Sequence, residues 1–227
     1  MGFTDKSIWC ALLCGLILLV SSCSTIPSGS GATASSDNGN ENMVNPAQEQ
    51  ISPVIQPNPY LENVPSISGD IKARFEAGVA AMEIKNWAEA ALIFEDMTVK
   101  APKLSGPWVN LGIAHYQTDD FEAAETSWSR AIQINPMNLD AYNRLAILKR
   151  ERGDFAAAET FYLNSLAKWP DNAEAHCNLG ILYDLYMGLW PKALAEYQKC
   201  ADLAEEPNRQ HRGWIIDIER RIQSQGS

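Results

Sequence analysis

The chain has 227 residues, 46% hydrophobic and 20% charged, and its 28 acidic against 18 basic side chains leave a formal net charge of −10. That length is enough to bury one continuous core without disulfides or metals to hold it. The acid excess argues against nucleic acid as a partner, because neutralising phosphates takes a basic surface that this chain as a whole lacks.

At the N-terminus Lys6 precedes an apolar run from Ile8 to Val20, too short for a comfortable bilayer span, which ends in Val20-Ser21-Ser22-Cys23. That ending resembles the bacterial lipobox. The resemblance implies a lipoprotein signal peptide over residues 1–22, cleavage before Cys23, and acylation of Cys23 on its sulfur and then on its new amine, palmitate included. Several acyl chains on one residue hold a bilayer far more firmly than a single chain. An ordinary signal peptide, or an uncleaved anchor that happens to contain a cysteine, is the alternative. Ser24 follows where aspartate would retain a lipoprotein in the inner membrane. The resemblance therefore implies a lipid anchor in the bacterial outer membrane, with the chain facing the periplasm.

From Cys23 to residue 66 the composition turns to Ser, Gly, Asn and Gln, then to Pro53, Pro57, Pro59 and Pro65, with no pattern that could bury a core. This predicts a linker, flexible in its Ser/Gly-rich half and stiffer in its Pro-rich half. About 43 residues of coil span roughly 35 to 40 Å on average and about 140 Å at full extension. The Pro-rich stretch reads as a passive spacer or, alternatively, as a docking segment.

Beyond the linker, Pro102, Pro136 and Pro170 stand 34 residues apart, and the residues between them repeat in phase. A leading site holds Arg74, Trp108, Tyr142 and His176; three residues on come Ala77, Leu111, Leu145 and Leu179, followed at once by Gly78, Gly112, Ala146 and Gly180. A second block pairs Ala90, Ala124, Ala158 and Ala193 with Phe94, Trp128, Tyr162 and Tyr197 four residues later. Turn-like segments such as Lys85-Asn86 and Arg152-Gly153-Asp154 lie between the blocks. Helix, turn, helix is the reading, with small residues admitting close approach of two antiparallel helices and aromatics filling the space beside them.

The pattern resembles the tetratricopeptide repeat, W-x2-L-G-x2-Y followed by A-x3-F and a closing proline. Trp108 to Pro136 is near consensus, with His115 in place of the tyrosine. The resemblance implies an all-α fold, a right-handed solenoid over residues 67–206 with repeats at about 71–104, 105–138, 139–172 and 173–206. In the last copy Gly188-Leu189-Trp190 arrives one residue late, which reads as a slightly longer turn. Residues 207–227 follow as a capping helix and tail, since Arg209, Arg212, Arg220 and Arg221 accompany Trp214, Ile215, Ile218 and Ile222 at helical spacing, and a repeat array needs a cover for its last apolar face.

Of the five cysteines, Cys10 and Cys14 leave with the signal peptide and Cys23 takes the lipid. Cys177 and Cys200 could pair in an oxidising periplasm. Against that, Cys200 holds the close-packing place of Met97, Ala131 and Ser165, where a free thiol fits as a small apolar residue, and that reading is preferred. His115, His176 and His211 are far apart in register with no cysteine or carboxylate at ligand spacing, so no metal is expected. Ser165-Leu166-Ala167-Lys168 fits the S-x-x-K string of penicillin-binding enzymes, but neither Ser-Asp-Asn nor Lys-Thr-Gly occurs. No catalytic residues and no cofactor are implied, and the chain reads as no enzyme.

A binding face is the remaining candidate. In tetratricopeptide arrays the first helix of each pair lines a concave groove, and the places two, five and eight residues after the leading site face into it. Here they hold Glu76, Asn110, Arg144 and Asn178; Val79, Ile113, Ile147 and Ile181; and Met82, Tyr116, Arg150 and Asp184, with Phe75, Val109 and Asn143 alongside. An aliphatic row flanked by amides suits an extended peptide segment. The isoleucines could equally pack between neighbouring repeats. Arrays that clamp a C-terminal carboxylate place Lys and Asn where this chain has Phe75 and Val79, and Asp140 also departs, so a partner with apolar side chains is expected instead. The expectation is a lipid-anchored adaptor for other envelope proteins. The alternative is a fixed assembly subunit of an envelope machine: for pilus and secretin assembly, which the overall form's resemblance to pilotins implies, or of the TonB–ExbB energy-transducing kind, since the ending from Tyr197-Gln198-Lys199 through Trp214 to Arg221 resembles that of short proteobacterial repeat proteins.

Overall fold

Four antiparallel helix pairs follow one another along the chain, and a longer helix closes the row. The computed structural model describes residues 55–62, 65–204 and 208–225, so the expected signal peptide, Cys23 and most of the expected linker lie outside the described residues. Among the described residues there are ten α-helices and no strand. A short α1 (Pro59–Glu62) is followed by the pairs α2 (Gly69–Glu83) and α3 (Trp87–Lys100), α4 (Ser105–Gln117) and α5 (Phe121–Ile134), α6 (Leu139–Glu151) and α7 (Phe155–Lys168), α8 (Ala173–Ile181) and α9 (Trp190–Asp202), and then by α10 (Arg209–Gln225). Each helix from α2 to α9 packs on the next in chain order, which is the solenoid arrangement. No helix among the described residues is long and apolar enough to cross a membrane.

Polar residues start most of these helices. Ser68, Asn86, Asp120, Asn138, Asp154 and Asn172 each accept, through the side chain, the backbone N–H three residues ahead, satisfying a donor that the first turn leaves unpaired. The turn inside each repeat has three residues and reverses through one left-handed position, at Lys85, Asp119, Gly153 and Gly188. The first three of these recur at the 34-residue period, and the fourth comes one residue late. The extra residue of the last copy does not lengthen its turn, as the sequence suggested. It is absorbed upstream, where α8 runs into a π-helical turn over Leu182–Tyr186, with the Met187 N–H reaching back to the Leu182 carbonyl at 3.1 Å. A π turn takes in one residue while keeping the helix continuous, so the turn and the facing helix stay in register.

The small-residue and aromatic registers form the core as the spacing implies. Ala90, Ala124, Ala158 and Ala193 are fully buried, and Phe94, Trp128, Tyr162 and Tyr197 nearly so. A Cβ at Gly78 would stand 2.6 Å from the Phe94 ring, one at Gly180 would stand 2.6 Å from the Tyr197 ring, and one at Gly112 would collide with Trp128. The Trp128 indole donates to the Val109 carbonyl at 3.1 Å, which pairs its buried N–H. Ala77 departs from its register and is exposed, because no repeat among the described residues precedes α2.

At the other end α10 covers the last repeat. Ile218 is fully buried, Trp214 stacks on Tyr197 with ring centroids 5.0 Å apart, and Arg221 reaches the buried Asp184 carboxylate at 2.8 Å. The Tyr197 hydroxyl donates to the same carboxylate at 3.3 Å. Asp184, read as a groove residue, is instead taken up by the cap.

The linker's C-terminal part also departs from expectation. Both backbone groups of Gln56 are held by the loop between α7 and α8: its N–H donates to Asp171 Oδ2 at 2.7 Å, and its carbonyl accepts from the Trp169 indole at 2.8 Å. Residues 66–68 then border a cleft with Pro102, Lys103 and Leu104 of the loop between α3 and α4. Gln56 and residues 66–68 thus lie beside inter-repeat loops.

Candidate functional site

The first helices of the repeats, α2, α4, α6 and α8, carry the predicted groove residues. Val79, Ile113, Ile147 and Ile181 are all half-buried. Val79, Ile113 and Ile181 pack against the buried clusters, as do Phe75 and Tyr116, so these side chains serve the core with one flank and remain open on the other.

The polar residues divide more sharply. Asn143 is buried and donates to Glu174 Oε1 at 2.7 Å, while Asn178 donates to the Asn143 side-chain oxygen at 2.8 Å. Both amides therefore knit the third repeat to the fourth. Arg144 pairs with Asp140 one turn earlier at 3.1 Å. The Tyr116 hydroxyl donates to Glu151 at 2.5 Å, and Arg150 lies over the Tyr186 ring, 5.5 Å from its centre. Burial and the Glu151 carboxylate push the Tyr116 phenol up to about 12. Asn110 is half-buried on α4, and its side chain makes no hydrogen bond among the described residues.

Electrostatically the face is mixed. Glu174 is open to solvent at its surface yet crowded by protein, as a group on a concave wall is. That crowding, with the Asp140 carboxylate, holds its carboxyl above the ordinary value, and Arg144 and the Asn143 hydrogen bond oppose the rise. A guanidinium, a poised acid and an unpaired amide on half-buried aliphatic ground can hold peptide backbone and apolar side chains together.

The leading site shows how each copy adapts. Arg74 reaches Asp96 at 2.5 Å, Tyr142 is buried, and His176 sets Nδ1 against Glu196 at 2.5 Å and Nε2 against the Pro170 carbonyl at 2.8 Å. His176 is thereby absorbed into packing.

Two expectations about cysteine are corrected at the last repeat. Cys177 on α8 and Cys200 on α9 form a disulfide with Cα atoms 5.1 Å apart. Cys200 does occupy the fully buried close-packing place, but antiparallel pairing of α8 and α9 brings Cys177 opposite it, a juxtaposition that linear spacing does not reveal. His211 on α10 joins them, its Nε2 lying 3.8 Å from Cys177 Sγ and 3.5 Å from Cys200 Sγ. A ligand-competent cluster of two cysteines and a histidine thus exists where the sequence register showed a solitary histidine. The surrounding protein desolvates the His211 ring and holds it below the usual imidazole range.

Residues 106–138 and 138–206 each match a tetratricopeptide repeat model, so these residues are tetratricopeptide repeats. Among solved structures, a thermophilic tetratricopeptide protein from Thermus thermophilus is 20% identical over 66% of this chain and 82% of its own, with a TM-score of 0.57. A tetratricopeptide protein from Parabacteroides merdae is 19% identical over 67% and 60%, also at 0.57. A MamA fragment from Desulfovibrio magneticus is 18% identical over 71% of this chain and all of its own, at 0.53. These likenesses establish the fold. No curated protein matches the chain.

Proposed function

We propose that the chain is a non-catalytic, lipid-anchored adaptor that binds an extended segment of other cell-envelope proteins on the face made by α2, α4, α6 and α8. The observation that carries this reading is the row Val79, Ile113, Ile147 and Ile181, half-open on the first helix of every repeat, with Asn110 unpaired and Arg144 beside it. Tetratricopeptide repeats serve as protein-binding scaffolds without chemistry of their own, and fold alone does not name the partner. The lipobox-like Val20-Ser21-Ser22-Cys23 supports anchoring at Cys23 in the outer membrane, facing the periplasm.

The test separates face from fold. In cells carrying the full chain, Asn110→Ala with Arg144→Ala is expected to lower partner capture by crosslinking at least several-fold while the helical circular-dichroism signal stays at the wild-type level. Capture unchanged with the fold intact would remove this face from the account. For the anchor, Cys23→Ser should stop incorporation of labelled palmitate, and continued labelling would overturn that assignment.

A further inference from the structure

Three helices deliver one soft ligand set. Cys177 comes from α8, the fully buried Cys200 from α9 and His211 from the cap helix α10, and their ligand atoms all lie within 4.8 Å of one another. A tetrahedral zinc ion, with Zn–S of about 2.3 Å and Zn–N of about 2.0 Å, sets each sulfur roughly 3.6 Å from the nitrogen. The sulfur-to-Nε2 distances here, 3.8 and 3.5 Å, already match that edge. The histidine therefore stands where a metal would need it, although a disulfide sulfur offers it only a weak partner. Its ring is held at that angle by Trp214, with centroids 5.4 Å apart, and its Nδ1 is buried without a hydrogen-bond partner among the described residues.

We propose that Cys177, Cys200 and His211 form a redox-gated site for a thiophilic d10 cation, Zn(II) being the reference ion, closed by the disulfide and opened by its reduction. A dithiol reductant supplies two electrons and two protons, becomes a disulfide itself and leaves Cys177 and Cys200 as thiols. Zn(II) then displaces the two thiol protons to solvent, forming two Zn–S bonds, while the His211 Nε2 lone pair forms the Zn–N bond and water takes the fourth place. Two thiolates balance the charge of the ion, which a partly buried site requires. The sulfurs must part to about 3.7 Å, a side-chain rotation for residues on adjacent helices. The metal form also does what the disulfide cannot: the disulfide joins α8 to α9, both within the last repeat, whereas the ion adds α10 and ties the cap to the array.

Zn(II) is titrated against a chromophoric chelator into the full chain, once oxidised and once reduced with a phosphine. A Cys177→Ser, Cys200→Ser variant retains Cys10, Cys14 and Cys23 and supplies the background. The proposal predicts one equivalent bound by reduced wild type above that background and none by oxidised wild type. His211→Ala, checked for fold by circular dichroism, should weaken binding at least tenfold. Co(II) in the reduced chain should show thiolate charge-transfer and tetrahedral d–d absorption. Binding at background level in the reduced chain, equal binding in the oxidised chain, or equal affinity in His211→Ala would each overturn the proposal.

Discussion

Gly112 and Gly213 show that the same residue type means opposite things at two places in one molecule. A Cβ at Gly112 would run into the Trp128 indole, whereas one at Gly213, in the second turn of α10, would meet nothing within 4 Å. Overpacking a core costs about 1 to 3 kcal/mol, more than the roughly 0.5 to 1 kcal/mol a helix gains when glycine becomes alanine. Gly112→Ala should therefore lower the urea midpoint and Gly213→Ala should raise it. Shifts of the same sign in both would contradict the packing account. Glu174 carries a second prediction at this scale. Its carboxyl is raised in the folded chain above the ordinary 4.5, chiefly by desolvation, so folding gains from its proton at low pH and loses that gain as pH rises through the folded value. At neutral pH the ionised form costs stability. Glu174→Gln, which keeps an oxygen for the Asn143 amide, is expected to stabilise the chain at pH 7, with the advantage shrinking toward pH 4. An advantage that grows on acidification would show the sign to be wrong.

Helix pairs are the level at which the sequence speaks most clearly, and α8 with α9 is where it stops speaking. The disulfide between Cys177 and Cys200 closes a loop with a sequence separation of 23. Loop-closure entropy sets its contribution at about 3 kcal/mol. Reduction in the presence of a chelator should lower the unfolding midpoint accordingly, and an unchanged midpoint would mean that α8 and α9 hold each other without it. The alanine, glycine and aromatic registers were readable because each is a side-chain signal repeated at one period, and each lands in the core as the period implies. The one-residue delay before Trp190 was readable as an insertion but not as a π turn, since the sequence shows the extra residue and not which backbone carbonyl gives way. The Cys177, Cys200 and His211 cluster was hidden for a related reason: its members come from three helices whose facing sides only tertiary packing defines. Asn143 and Asn178 looked like free groove amides, but repeat-to-repeat pairing consumes them, whereas Asn110 meets no such neighbour.

Across the chain as a whole, Gln56, which the composition assigns to a linker, is held by the helical array. Gln56 docks on Trp169 and Asp171 through its backbone, which is why no side-chain period announced it. Pro57 follows the contact directly and biases Gln56 toward the extended backbone that presents both groups. Asp171→Ala with Trp169→Phe should speed proteolysis near residue 56 in the full chain, and an unchanged rate would show that docking does not protect the segment. On the proposed function the first helices, and not the second, receive the partner. Its most direct test places a photocrosslinking residue at Ile113 or Ile147 on α4 and α6, and at the exposed Leu92 or Leu163 on α3 and α7, in cells carrying the full chain. The same captured protein is expected from both positions on α4 and α6 and none from those on α3 and α7; capture from Leu92 and Leu163 alone would overturn the proposed face and favour a subunit fixed in an assembly by its other surface.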